Sequence, residues 1–218
     1  MTRWTADQVE ELLARTHAGD TVYLVGAGGC GMSGLGHLLL DLGYRVIGSD
    51  LAENEEVKGL RLRGATIHLG HGASQVQSAH PRIVVYTPAV RLDNPELVVA
   101  EQMEVPIVRR ALVLSALMRR RCGICVAGMH GKTTTSAMLA FAMERLQRHP
   151  SYAIGAVVPQ LQRHARFSSP ASVVAVPGQP VQVDEGEEFF VAEADESDGT
   201  LREFTPGHSI ILNIDEEH

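Results

Sequence analysis

The chain has no run approaching the roughly 20 apolar residues of a membrane span. Its start, Met1-Thr2-Arg3-Trp4, leads into a polar helix rather than an apolar signal core. A cytoplasmic protein without a membrane span is the expectation. A surplus of cations is also missing. Lys and Arg number 19 against 26 Asp and Glu, a net charge of -7, which argues against a nucleic-acid partner. Any anionic ligand must therefore be gripped locally. Cysteine is scarce: Cys30, Cys122 and Cys125 cannot build a convincing disulfide framework in 218 residues, which suits a reducing compartment. Cys122 and Cys125 have C-x-x-C spacing in what reads as a buried strand, but no second pair completes a zinc site, so core thiols are preferred over metal or redox work.

What is present is 44% hydrophobic residues, enough for one large core or two modest ones. Thr5-Ala6-Asp7-Gln8 reads as a capping box, and Val9, Leu12 and Leu13 give the following helix an apolar stripe. An apolar run Thr21 to Val25, a glycine-rich turn, a helix from about Met32 to Leu42 and a run Tyr44 to Ile47 form a βαβ unit. The pattern continues with a helix near Glu53 to Arg63, strands Thr66 to His68 and Ile83 to Tyr86, and a helix after Asn94-Pro95. A strand Pro106 to Val108 and a helix ending at Leu117-Met118 follow. Residues 1–118 are thus expected to form one doubly wound, Rossmann-like α/β domain. Arg119-Arg120-Arg121 reads as a hinge or solvated helix end rather than a binding patch. Residues 119–218 are expected to form an incomplete P-loop α/β domain, with a strand Cys122 to Ala127, a helix to about Leu146, and strands Phe189 to Ala192 and Ser209 to Leu212. The stretch from about 160 to 188 has weak periodicity and reads as loops and hairpins.

Four stretches carry chemistry. Gly26-Ala27-Gly28-Gly29-Cys30-Gly31 is a G-x-G-x-x-G between strand and helix, whose glycines let the backbone approach a diphosphate at a helix N-terminus. Asp50, at the end of the second strand, is placed to accept a ribose hydroxyl, so NAD or FAD, another nucleotide and a structural turn all remain open. Gly131-Lys132-Thr133 is the end of a P-loop: backbone amides cradle phosphates, Lys132 neutralises them, and Thr133 offers a hydroxyl to magnesium. Val126 stands where the first glycine is usual, leaving the shortened Gly128-Met129-His130-Gly131-Lys132-Thr133-Thr134. The third stretch, Glu193-Ala194-Asp195-Glu196-Ser197-Asp198, follows a strand and is either a magnesium site or a solvated acidic turn. The fourth, Asn213-Ile214-Asp215-Glu216-Glu217-His218, also follows a strand and by composition has little weight.

Together with Met32-Ser33-Gly34, Gly48-Ser49-Asp50, Gly70-His71, Asn94-Pro95-Glu96 and Arg109-Arg110, these stretches resemble, in order, the Mur ligases, and the alanine-adding members in particular. The resemblance implies that Gly26, Gly28, Gly29, Cys30, Gly31, Asp50 and His71 bind a UDP-sugar, UDP-N-acetylmuramate, rather than NAD. It implies ATP on Gly128, Met129, His130, Gly131, Lys132, Thr133 and Thr134, with Lys132 and Glu193 catalytic. It further implies Mg2+ held by Thr133, Glu193 and His218, and L-alanine as second substrate. Met129 replaces a usual threonine but keeps the backbone donors, and residues 160–188 match poorly. Family members continue into the rest of an ATPase domain and an amino-acid-binding domain, so the expectation is a fragment inactive by itself as a ligase. The rival readings are the sibling that adds a recycled peptide to the same sugar, a noncatalytic UDP-sugar-binding or regulatory module, and an NAD-dependent protein with an incidental P-loop.

Overall fold

The computed structural model describes residues 4–168, 188–194 and 200–214. Thr5 caps helix α1 (Ala6–Ala14) in the reciprocal box with Gln8 that the sequence spells out. Strands β1 (Thr21–Val25), β2 (Arg45–Asp50), β3 (Thr66–Leu69), β4 (Ile83–Tyr86) and β5 (Ile107–Arg109) form a parallel sheet in the order β3-β2-β1-β4-β5. The crossovers are α2 (Cys30–Asp41), α3 (Glu55–Leu62), α4 (Ala73–Ala79) and α5 (Pro95–Gln102), and α6 (Arg110–Met118) follows β5. The strand order reverses between β1 and β4, which opens a crevice at their carboxyl ends, where ligands of such sheets bind.

A second sheet holds β6 (Cys122–Ala127), β7 (Ser151–Val158), β8 (Arg163–Arg166), β9 (Phe189–Glu193) and β10 (His208–Ile211), ordered β10-β6-β9-β7-β8. Its pairings are parallel except for the β7/β8 hairpin. Helix α7 (Lys132–Arg145) covers its outer face, where Ala140 and Met143 cluster with Tyr152, Ile154 and Val191.

Strand β1 is buried along its whole length because both its faces are covered. Val22 and Leu24 belong to a core with α1, α2 and α6, whereas Tyr23 and Val25 cluster with Val76 of α4 and Leu97 and Ala100 of α5. The first of these cores does not stop at its own sheet. It runs on into Cys125, Ala165, Phe167, Phe190 and Ala192, so α2 lies between the two sheets and is buried from Met32 to Leu39. Small residues make that possible. A β-carbon on Gly36 would stand 2.8 Å from Leu60 Cδ2, and one on Gly34 would stand 3.3 Å from His164 Cδ2.

Ion pairs fasten the same junction. Asp41, at the end of α2, accepts from Arg63 at 2.6 Å, from Arg163 at 3.3 Å and from the Phe167 amide at 2.9 Å. Arg119 reaches Asp7 and Glu10 on α1, and Arg121 pairs with Glu188 and lies over the Phe167 ring at 5.0 Å. The reading of Arg119-Arg120-Arg121 as a hinge or solvated end is thereby corrected for two of the three: these guanidiniums tie α1 and the second sheet to the end of α6. The elements absent from the sequence reading are α4, β7 and β8. Gly155 breaks the apolar run of β7, and β8 is disguised as a polar loop because Arg163 and Arg166 face Asp41 and Glu144.

His37 sits in this junction, 8% exposed, edge-on to His164 and beside Arg63. Burial first, then His164, Arg63 and Arg163, push its pKa down to about 3 from 6.5. The folded protein therefore leaves His37 neutral over a range in which the unfolded chain protonates it. Its stabilising contribution is complete above about pH 6.5 and is lost as pH falls toward about 3. Urea unfolding at pH 7 and pH 5 should show a loss of stability that is smaller in His37→Gln, by up to about 1.4 kcal/mol per pH unit. Equal losses in both proteins would refute the assignment.

Candidate functional site: two glycine loops joined through one peptide

The first loop leaves β1 and is strapped to β2. The amides of Gly26 and Ala27 both donate to the Ser49 carbonyl at 2.9 Å, and the Gly28 amide donates to Asp50 Oδ2 at 2.7 Å. Asn54 Nδ2 donates to the Gly28 carbonyl at 2.8 Å while its Oδ1 caps α3 through the Val57 amide. These straps need glycine at 28, since a β-carbon there would lie 2.9 Å from Asp50 Oδ2 and 3.0 Å from Asn54 Nδ2. Helix α2 begins its own bonding with Met32 and Ser33 donating to the Gly29 carbonyl, so the amides of Cys30 and Gly31 are those its first turn does not use. Arg110 overhangs this turn: its Cζ and Nη1 stand 3.0 Å from where a Gly31 β-carbon would be. Amides at a helix start with a guanidinium above them suit an anion.

Behind the loop lies a buried carboxylate. Glu96, with no exposed surface, accepts from Tyr23 at 2.6 Å and Ser49 at 2.7 Å, and its Oε2 is 2.8 Å from His71 Nδ1. His71 Nδ1 also lies 2.9 Å from Ser49 Oγ. Burial first, and Glu96 second, drive the Tyr23 phenol far above its usual range, which favours the protonated phenol as donor to Glu96. The network fixes the end of β2 and the orientation of His71.

The second loop leaves β6. Gly128 has φ 134° and Gly131 has φ 85°, conformations that a side chain disfavours, and Gly131 is the N-cap of α7. Asn213 holds the loop by both ends of its amide: Oδ1 accepts from the His130 amide and Nδ2 donates to the His130 carbonyl, each at 3.0 Å. Lys132 Nζ donates to the Gly128 carbonyl at 2.5 Å, which places the ammonium over the loop. Register then brings the acid to the hydroxyl. Val126 of β6 pairs with Glu193 of β9, and Thr133 Oγ1 donates to Glu193 Oε2 at 3.1 Å. A hydroxyl and a carboxylate converging beside a phosphate-type loop are hard oxygen donors suited to Mg2+.

The two loops meet at Gly155 of β7. Its amide donates to Glu193 Oε1 at 2.7 Å, and its carbonyl accepts from the Cys30 thiol at 3.0 Å. A β-carbon on Gly155 would stand 3.0 Å from Glu193 Oε2 and 3.2 Å from Thr133 Oγ1, so any side chain here would crowd both groups. Burial, followed by Glu56 and Glu193, raises the Cys30 thiol above its usual range, against the pull of Arg110.

Of the residues singled out in the sequence, Gly26, Gly28, Gly29, Cys30 and Gly31 share the first loop with Asp50, and His71 lies on the network behind it. The two oxygens of Asp50 accept the Gly28 and Ala52 amides, so it straps the first loop. Gly128 to Thr134 form the second loop with Glu193. His218, Asp195, Glu196, Ser197 and Asp198 lie outside the described residues. Arg110, Asn54, Asn213 and Gly155 were not given roles. Asn54 and Gly155 had a legible signal, as a helix cap and as a lone glycine within a strand.

A doubly wound parallel sheet with a glycine loop at its switch point, joined to a second sheet that ends in a Gly-Lys-Thr turn, defines a Rossmann-like plus P-loop α/β protein. The chain is similar to the Mur ligases over most of its length. The family model described as Mur ligase family, catalytic domain, matches residues 21–122. UDP-N-acetylmuramate--L-alanine ligase of Thiobacillus denitrificans is 42% identical over 202 residues, covering 93% of this chain and 40% of that protein. The enzyme of the same name from Magnetococcus marinus is 41% identical over 197 residues, covering 90% and 37%. The chain thus spans about two fifths of the length of these relatives. Among solved structures, a UDP-N-acetylmuramate-alanine ligase from Thermotoga maritima superposes with TM-score 0.74 at 32% identity, over 91% of this chain and 42% of that one. A UDP-N-acetylmuramate:L-alanyl-gamma-D-glutamyl-meso-diaminopimelate ligase from Neisseria meningitides shares the fold, with TM-score 0.77 at 24% identity, covering 92% and 63%. Among the described residues no helix is long and apolar enough to cross a membrane.

The Glu96 network gives a direct test. Tyr23→Phe removes a donor from a buried carboxylate without changing packing, and should cost about 1.5–3 kcal/mol in urea unfolding. A loss below about 0.5 kcal/mol, the scale of an ordinary surface change, would mean that Glu96 does not depend on this bond.

Proposed function

We propose that this chain supplies the sugar-nucleotide and ATP-binding parts of a cytoplasmic ligase that joins L-alanine to UDP-N-acetylmuramate in peptidoglycan precursor synthesis. Residues 1–118 form the UDP-sugar unit and residues 119–218 part of the ATP unit. The observation that carries the reading is the convergence of both loops on Gly155, which sets an anion site at Cys30, Gly31 and Arg110 beside the Lys132, Thr133 and Glu193 cluster. The similarity to the two alanine ligases over nine tenths of the chain supports the choice of substrates.

In this reading the amides of Cys30 and Gly31, with Arg110, hold the UDP diphosphate, while Asp50 and Asn54 keep the loop in shape for it. The backbone of Gly128 to Thr134 wraps the ATP phosphates, and Lys132 offsets the charge that builds up when the muramyl carboxylate oxygen attacks the γ-phosphorus and ADP leaves. The alanine amine then attacks the acyl carbon, and phosphate departs. Thr133 and Glu193, with His218, would hold Mg2+, which supplies charge neutralisation to the phosphates. Gly155 presents its amide to Glu193 and so keeps the second carboxylate oxygen aimed at Thr133.

Calorimetric titration with UDP-N-acetylmuramate, ATP and NAD in separate experiments tests the reading. The sugar nucleotide should bind, NAD should not, and Arg110→Ala should weaken the sugar nucleotide by roughly 10- to 150-fold, the worth of a charge-assisted hydrogen bond. Gly28→Val should abolish its binding by forcing Asp50 and Asn54 off the loop. NAD binding in its place, or unimpaired binding by Gly28→Val, would overturn the assignment of this loop. In a ligase that contains these residues, Lys132→Ala should lower turnover by orders of magnitude with folding unchanged, and the defect of Glu193→Ala should be partly relieved by raised magnesium.

A further inference from the structure

Among the described residues, one set of three groups has the chemistry of a transition-metal site, and it shares no residue with the Thr133 and Glu193 pair. Cys30 Sγ, Glu56 and His164 present ligand atoms that all lie within 4.8 Å of one another. They come from three elements: the first turn of α2, the first turn of α3 and strand β8. His164 Nε2 and Glu56 Oε2 are 3.6 Å apart, and Ser33 Oγ bridges them at 3.2 Å and 2.5 Å. The imidazole is 4% exposed, so it is held in one orientation rather than waving in solvent.

We infer that Cys30, Glu56 and His164 form a binding site for one thiophilic divalent ion of the zinc class, clamped between the two sheets. The geometry is close to what such an ion needs. Metal-ligand lengths of about 2.0–2.3 Å put tetrahedral donors about 3.3–3.6 Å apart, so the nitrogen and carboxylate oxygen already stand at the required spacing and the sulfur needs about an ångström of side-chain movement. Charge also balances. A thiolate and a carboxylate cancel the two charges of the ion, and the neutral imidazole adds none, which suits a half-buried pocket. The neutral form of His164 is favoured by its burial, against the pull of Glu56. Sulfur and imidazole select zinc, cobalt or copper over magnesium, which distinguishes this site from the all-oxygen pair at Thr133 and Glu193. Ser33 Oγ occupies the same Nε2 and Oε2 atoms in the absence of the ion and would give up its bond to the imidazole when the ion binds. Three protein ligands leave a fourth position for water.

Binding releases the Cys30 proton to solvent and turns its sulfur from the Gly155 carbonyl to the metal, whereas the Gly155 amide stays on Glu193. The ion would therefore stiffen the contact between α2 and β8. The site shares Cys30 with the ligase reading above, through its thiol rather than its amide, and failure to bind the ion would leave the thiol on the Gly155 carbonyl and that reading intact.

The test uses the 218-residue chain with Co2+ and Zn2+ as probes. Co2+ should bind with a stoichiometry of one and give a thiolate charge-transfer band in the near ultraviolet, and Zn2+ should displace it and raise the melting temperature. Cys30→Ala should abolish the band. Glu56→Gln, in the first turn of α3, and His164→Gln should each weaken Zn2+ by more than the roughly 10–100-fold that loss of an outer partner costs. The double variant Cys122→Ser/Cys125→Ser should keep band and affinity, since those thiols belong to β6. Absence of a thiolate band, its survival in Cys30→Ala, its loss in the Cys122/Cys125 double variant, or unchanged affinity in Glu56→Gln with native circular dichroism would each overturn the proposal.

Discussion

Helix α2 is the piece on which everything else rests, because it has no solvent side through its middle. Its apolar residues serve the first sheet and the second at once, so the usual rule that a helix spends one face on a core and one on water does not apply to it. That demand explains a sequence that would otherwise look weak for a helix. Gly31, Gly34 and Gly36 cost helix stability relative to alanine, about 1 kcal/mol each. Leu60 nonetheless occupies the space a methyl group on Gly36 would take, and Arg110 and His164 crowd the same position on Gly31 and Gly34. Tertiary contact has overridden local propensity. Burial of Met32, Leu35, Leu38 and Leu39, at about 1.5–3 kcal/mol per side chain, outweighs the glycine penalty.

From this position α2 also sets what its two ends can do. The N-terminal turn carries unused amides into the crevice of the first sheet, and the C-terminal end offers Asp41 to Arg63, Arg163 and the Phe167 amide. A carboxylate at a helix C-terminus opposes the helix dipole, and the two guanidiniums offset it. The junction is therefore polar at its rim and apolar in its centre, with the edge-on rings of His37 and His164 between them.

Much of the first sheet was legible in the sequence, because strands covered on both faces read as short continuous apolar runs and each is followed by a turn signal. The bounds of β1, β4 and β6 match the apolar runs residue for residue. The second sheet was half legible. β7 and β8 were hidden since their function is contact with other parts of the chain: Gly155 is small to admit Glu193 and Thr133, and Arg163 and Arg166 are charged to meet Asp41 and Glu144. A pattern search sees a glycine break and two surface arginines. Both glycine loops were plain from their spacing, whereas the pairing of Thr133 with Glu193, the last residue of β9, came only from the family resemblance. What spacing could not supply was the use of each group. Asp50 accepts an amide of the loop itself, Arg110 enters from a helix that starts far along the chain, and Asn213 holds a loop more than eighty residues before it.

Gly155 couples the two loops through main-chain atoms alone, its N–H toward one carboxylate and its C=O toward one thiol. Such a hinge pin has no side chain to delete. Systematic truncation of side chains would report every neighbour of this residue and pass over the residue that relates them, and replacing it with alanine would register as crowding rather than as a lost bond. A displacement of the strand by a few tenths of an ångström, arising at either loop, would be felt at the other without any change in a rotamer.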